Sequence, residues 1–162
     1  MAKAERKYLA HYIDGAFSSS SPEYVRLGKD LEEFNVELNP DVESKQNILG
    51  ENSVVVNGYE ASSSVEPFYY DYDDSLSEKI MNIAMERNTG DECKTTVVDV
   101  LLKAGENGAE PTCLWAYCED CYVVPESYGG DTSGVQVPFT IHRAGNRKKG
   151  TFDISTKKFT AQ

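Results

Sequence analysis

Four cysteines, Cys93, Cys113, Cys118 and Cys121, are the residues whose type and spacing come nearest to chemistry. Cys118-Glu119-Asp120-Cys121 has the C-x-x-C spacing found in zinc and redox sites. A structural zinc site needs four ligands that converge, usually from two tight pairs. Here only one pair is tight, and the run Cys113–Val124 reads as a strand, in which residues three apart point to opposite faces. The expectation is free, partly buried thiols in a reducing compartment, with no metal and no cofactor. The two histidines, His11 and His142, each fall in a strand-like segment. No Gly-x-Ser-x-Gly nucleophile elbow accompanies them, so each reads as a structural or surface residue. Asp71-Tyr72-Asp73-Asp74-Ser75 opens like a calcium loop but lacks the central glycine and the terminal bidentate glutamate. It reads as an acidic cluster at a helix N-terminus, favoured by the helix dipole. Tyr128-Gly129-Gly130-Asp131 has a glycine pair without the helix and lysine of a phosphate loop, and reads as a β-turn. No catalytic residue is assigned, and the chain is expected not to be an enzyme.

The elements that must hold these residues are mostly strands. Tyr8–Asp14 is rich in aromatic and branched residues, as a first strand should be. Ser18–Pro22 is a loop. Tyr24–Leu27 is a short strand. Leu31–Leu38 alternates from Phe34, with Phe34, Val36 and Leu38 on one face, as in a half-buried strand. Val54–Glu60 returns as a strand and Ser62–Phe68 continues it loosely. One helix is signalled by Ser75-Leu76-Ser77-Glu78, a capping box. Leu76, Ile80, Ile83 and Ala84 follow at helical spacing. Arg87 sits in its last turn and Gly90 closes it. Thr95–Lys103 is nearly continuous in branched and apolar residues, as a strand covered on both faces is. Cys113–Val124 is another long strand. Gly134–Ala144 alternates weakly, with Pro138 marking an edge or bulge. Gly145-Asn146 then turns the chain, Lys149–Ile154 pairs back, Ser155-Thr156 turns again and Lys158–Thr160 follows. The pattern is α+β and mainly β, a β-sandwich or partly closed barrel with one flanking helix.

The chain has 162 residues, 40% of them hydrophobic and 27% charged, which fits a single globular domain spanning 1–162. No apolar run approaches the roughly 18 residues of a membrane span. The start, Met1–Tyr8, is charged and lacks the apolar core of a secretory signal, so synthesis in a cytoplasm is expected. Net charge is −11. It is uneven: residues 143–162 carry six basic groups against Asp153, while residues 1–142 carry 10 basic and 26 acidic groups. The basic end is either a solvated hairpin or a surface that meets the acidic body of a second copy, with Arg147, Lys148 and Lys149 at its turn. An acidic chain is a poor binder of nucleic acid, whose affinity comes mainly from Lys and Arg on phosphates.

Between two strand-like runs lies Leu38–Asn52, too long and polar for a tight hairpin turn. Loops longer than about 12–15 residues are usually functional or disordered. With no chemistry attached, this segment reads as an extended arm or loop over 39–52 that contacts another subunit. Asn39, Pro40, Asp41, Val42, Asn47, Ile48, Leu49 and Gly50 are its candidate self-assembly residues.

A family resemblance is carried by several strings. They are Tyr24-Val25-Arg26-Leu27-Gly28-Lys29-Asp30-Leu31-Glu32-Glu33, Glu37-Leu38-Asn39-Pro40-Asp41-Val42-Glu43, Asn47-Ile48-Leu49-Gly50-Glu51 and Asn57-Gly58-Tyr59. Further along they are Trp115–Asp120, Val124–Asp131, and Ala144–Arg147 before Gly150–Asp153. Together they resemble the major tail tube proteins of long-tailed bacteriophages, from about Tyr8 to Phe159. Cys118 and Cys121 stand outside that pattern. The resemblance implies a β-sandwich or barrel subunit with one flanking helix, forming hexameric rings that stack into a hollow tube. The tube would conduct viral DNA into the host without binding it specifically. Implied partners are further copies of the chain, a tape-measure protein, and tail terminator or tip proteins, with no membrane. Implied locations are the virion tail and, before assembly, the host bacterial cytoplasm. The inner tube of a contractile particle or bacteriocin uses the same kind of subunit. A different class, a small-molecule or carbohydrate-binding β-module, would draw on the ten tyrosines and Trp115, although aromatic residues in strands more often pack in a core.

Overall fold

In a computed structural model that describes residues 3–18 and 20–162, the chain forms thirteen strands and one α-helix. Ser19, in the expected Ser18–Pro22 loop, and Met1 and Ala2 at the start lie outside the described residues. The strands are β1 (Leu9–Asp14), β2 (Tyr24–Leu27), β3 (Val36–Glu37), β4 (Pro40–Gln46), β5 (Asn52–Tyr59) and β6 (Ser62–Val65). After helix α1 (Ser75–Glu86) come β7 (Lys94–Lys103), β8 (Thr112–Pro125), β9 (Gly129–Asp131), β10 (Gly134–Gln136), β11 (Phe139–Arg143), β12 (Lys148–Asp153) and β13 (Lys158–Ala161).

Nine of these form one antiparallel sheet in the order β2-β1-β7-β8-β11-β6-β3. It curls into half a barrel, so the fold is α+β and mainly β. β8 is its spine and is long enough to serve two partners on one side. Its C-terminal half pairs with β11, and its N-terminal half pairs with β12, which carries β13. Both faces of the sheet are covered. On one, α1 lays Leu76 and Ile80 over Ile13, Val97, Cys121, Val123, Phe139 and Ile141. On the other, Ala10, Tyr12, Val98, Val100, Leu102 and Ala116 pack with Tyr24 and Phe152. The continuous apolar runs of β7 and β8 follow from this, because alternate residues enter different cores.

Several expectations are corrected. Leu31–Leu38 is not one alternating strand: Phe34 is buried, but only Val36–Glu37 pairs and Leu38 is exposed. Gly134–Ala144 is divided, because Pro138 has no N–H to give and instead accepts from the Glu126 amide. The Gly129-Gly130 pair is itself strand, and the turn lies one step later, between Asp131 and Gly134. A side chain on Gly130 would run into the Gly134 carbonyl. Ser62–Phe68 stays paired only to Val65.

The ends of α1 also differ. Asp74, not Ser75, is the N-cap, and its carboxylate accepts from the Leu76 amide at 3.0 Å. Ser77 ties the preceding turn down by donating to the Asp71 and Asp74 carbonyls. At the other end Arg87 takes the left-handed conformation itself, and the Asn88 amide closes onto the Ile83 carbonyl. Gly90 instead starts a short 3-10 turn. Two substitutions separate the caps. Asp74→Ala should cost about 1 kcal/mol of stability in urea denaturation, whereas Ser75→Ala should change it little. A reversed order would restore Ser75 as the cap.

Candidate functional site

The arm is where the structure departs most from a compact body. Residues 39–52 do not form an irregular loop. They are the first strand and the turn of a two-stranded ribbon, β4 with β5, paired from Pro40↔Tyr59 to Gln46↔Asn52. The turn is built by Asn47. Its side-chain oxygen accepts from the Leu49 and Glu51 amides at 2.9 and 3.0 Å, while its backbone binds Gly50 and Glu51. Gly50 has φ +79°, the left-handed region where glycine costs least. At the root, the Asn39 amide nitrogen donates to the Glu60 carbonyl and the Ser62 hydroxyl.

Among the described residues, seven of the fourteen exposed large apolar side chains lie on this ribbon, Val42, Ile48, Leu49, Val54, Val55, Val56 and Tyr59, and an eighth, Leu38, stands at its root. Register places Val42, Val54 and Val56 on one face of the ribbon with Ser44. Glu43, Lys45 and Val55 face the other way. Ile48 and Leu49 at the tip are 103% and 77% exposed. Asn39, Pro40, Asp41, Val42, Asn47, Ile48, Leu49 and Gly50 therefore share one exposed projection.

Arg147, Lys148 and Lys149 divide into two kinds. Arg147 turns back onto its own chain, 3.1 Å from Asp99 and 3.4 Å from Glu119, with its guanidinium over the Tyr117 ring. Lys148 and Lys149 begin β12 and stay exposed. Arg147 thus joins a buried ion cluster. Arg143 binds Asp99 at 2.6 Å and Glu119 at 3.2 Å. His11 Nδ1 lies 2.8 Å from Asp99, and Arg6 donates to His11 Nε2 at 3.1 Å. Arg6 can only donate, so Nε2 accepts and the imidazole proton sits on Nδ1, facing Asp99. His11 is thereby committed on both nitrogens, while His142 is exposed.

Burial alone would push the Asp99 carboxyl up. The His11 hydrogen bond and the charge and hydrogen bonds of Arg143 outweigh it and hold the carboxyl at about 2. Burial likewise opposes the Arg143 cation, and Asp99 and Glu119 overcome it, so its pKa rises. This cluster escaped sequence reading because its members come from β1, β7, β8 and β11. The available signal was Asp99 within the apolar run Val97-Val98-Asp99-Val100-Leu101-Leu102.

The thiols do not gather. Cys121 is buried in the core beneath α1 and Cys118 packs on the opposite face, as their spacing in a strand requires. All four cysteines are free, and burial pushes Cys121 up to about 12. Among the described residues, no group of three or more His, Cys, Asp or Glu is arranged to hold a metal ion. In the Asp71–Ser75 turn, Asp71 accepts from the Asp73 amide and lies 3.5 Å from Lys29. An apolar groove of about 560 Å³ opens between the C-terminal end of α1 and the end of β8.

The ion cluster makes stability depend on acid. An unfolded aspartate titrates near ~3.9 and Asp99 at about 2. Its contribution is therefore complete above ~4 and is lost as pH falls through about 2. Asp99→Asn should cost ~3 kcal/mol at neutral pH by leaving Glu119 alone to offset Arg143 and Arg147, and should flatten the loss of stability between ~4 and ~2. Arg147→Glu, a third carboxylate beside Asp99 and Glu119, should lower stability by on the order of 1–2 kcal/mol. Lys148→Glu with Lys149→Glu should leave it unchanged. Equal melting of all these variants would remove the cluster's structural role.

The chain matches no protein-family model and no curated protein sequence.

Proposed function

We propose that this chain is a structural subunit that self-assembles, and that its assembled form is a hollow tube of stacked rings like the tail tubes of long-tailed bacteriophages. The observation that carries the reading is the arm. A lone two-stranded hairpin is marginal in water, and an apolar edge ribbon is a template for pairing. Here a ribbon with seven exposed large apolar side chains is held out by a body whose own core is closed. A second copy of the chain supplies the missing contacts. Burying one Leu or Ile side chain is worth about 1.5–3 kcal/mol, so a few such side chains repeated around a ring suffice to drive association.

The conduit role adds the charge. A net charge of −11 disfavours phosphate binding, so DNA would pass an acidic wall without being held. The resemblance in the strings at the arm, in β8 and at the Ala144–Arg147 turn supports the same class. The tape-measure and terminator proteins follow from it as partners.

Electron micrographs of the concentrated protein should show rings or tubes. Ile48→Asp with Leu49→Asp should abolish them while the monomer melts as before, since neither side chain packs on its own body. Hydrogen exchange across Pro40–Tyr59 should slow on assembly. Lys148→Glu with Lys149→Glu should reduce assembly at low salt if the basic end meets an acidic neighbour. A persistent monomer at high concentration, in the unsubstituted protein, would remove the assembly reading.

A further inference from the structure

The groove at the end of α1 has the shape and chemistry to receive the arm tip. Buried Ile83 and Cys93 line it together with Tyr122, and exposed Val124, Tyr128 and Arg87 line its open side. At about 560 Å³ it falls within the range of pockets that enclose a small ligand, roughly 300–1,000 Å³. Two aliphatic side chains fit within such a space.

The tip is a preformed knob. Asn47 fixes its backbone with four hydrogen bonds. Ile48 is fully exposed and Leu49 largely so. Little ordering is therefore lost on docking. Of the two charged groups that line the groove, Glu126 accepts from the Thr140 hydroxyl and Arg87 is left to face an acidic partner. Glu51 adjoins the tip, and Arg87 on the groove makes no ion pair among the described residues.

The position of the tip decides whose it is. β6 joins the arm at Ser62, which lies in one row with His142 and Tyr122. Its other end, Val65, lies in one row with Phe139 and Pro125, where the groove opens toward Tyr128. Tyr122 lines the groove too, so the groove runs the length of β6; Ile48 at the chain's own tip nevertheless stands fully exposed, outside it. A tip that enters a groove therefore belongs naturally to another copy, and the contact is head to tail. Such heterologous contacts close into rings or continue as filaments, according to the rotation between copies.

We infer that the Ile48-Leu49 tip of one subunit inserts into the groove formed by α1 and β8 of the next, with Arg87 facing Glu51. This rests on the assembly reading and names the surface that receives the arm.

Two full-length variants test it in complementary fashion. The tip variant is Ile48→Asp with Leu49→Asp. The groove variant is Val124→Glu with Tyr128→Glu, both at exposed positions that leave the core intact. Each alone should stay monomeric in analytical ultracentrifugation and melt with the unsubstituted protein. Mixed, they should form a one-to-one complex that does not grow, because one sound tip and one sound groove remain. Leu49→Ala alone should raise the concentration for half-assembly by about tenfold. Normal growth of the groove variant beside a dead tip variant would place the tip elsewhere and sink this inference, leaving arm-driven assembly intact. A mixture that stays monomeric would sink it too. If the unsubstituted protein never associates, both readings fall together.

Discussion

Asp99 is the residue on which the body of this protein most depends. It accepts from His11 on β1, from Arg143 on β11 and from Arg147 beyond it. Glu119 on β8 shares both arginines. Four adjacent strands, β1, β7, β8 and β11, thus meet through charges on one face of the sheet, the face that further along carries the apolar core under α1. A register slip of one residue would turn each of these groups to the other face. There they would meet Tyr12, Val98, Val100 and Phe152, and an unpaired charge in such surroundings costs several kcal/mol. The cluster therefore fixes which pairing the strands adopt, whatever its net contribution to stability. It also holds the Ala144–Arg147 turn, because the Gly145 amide donates to Glu119 and Asn146 clamps Asp120 from both ends of its amide.

Against this closed body the arm is a deliberate imbalance. Every strand of the main sheet has a core to enter on at least one face. β4 and β5 have only each other, joined to the body through Asn39 and the β3–β6 edge. The local rules are still obeyed within it. Asn47 and Gly50 meet the needs of the turn, and the valines of β5 have high strand propensity. What is missing is a surface to bury them. That division, with local structure complete and burial incomplete, is the observation on which the proposed assembly role rests.

Much of the body was legible because burial writes itself into sequence. The run Thr95–Lys103 and the alternation of Cys118 and Cys121 between two cores follow from strands packed on both faces. The same logic explains the failures. The arm is exposed all round, so no face of β4 imposes alternation, and Asp41-Val42-Glu43-Ser44-Lys45-Gln46 reads as loop. The turn signal, Asn47 followed by Gly50, was present, but it looked like part of a polar stretch. For Leu31–Leu38 the apolar pattern was real at Phe34, yet Asp30 and Asn39 have positive φ, which breaks the extended run on both sides. The ion cluster was invisible for another reason: His11 and Asp99 are far apart in sequence, and no local pattern links them. Asp74 and Ser75 are both good caps, and only the backbone decides between them.

The arm's composition also bears on how it avoids indiscriminate pairing. Val54-Val55-Val56 in an unprotected ribbon has the character of an aggregation-prone segment. Natural edges are blunted by charge and by proline, and both devices are present. Pro40 begins β4 and removes one donor from the ladder. Glu43 lies directly opposite Val55, and Lys45 lies on the same face next to it, so that face cannot bury its valine without also burying charge. The Val42–Val54–Val56 face and the Ile48-Leu49 tip are left as the parts that can be covered cheaply. A partner for this ribbon must therefore be shaped to accept the tip and one face while leaving the other face wet. An identical ribbon stacked edge to edge in random register does not meet that condition. A groove with apolar walls and an open side does, and so specificity can be built into an arm that would otherwise be only adhesive.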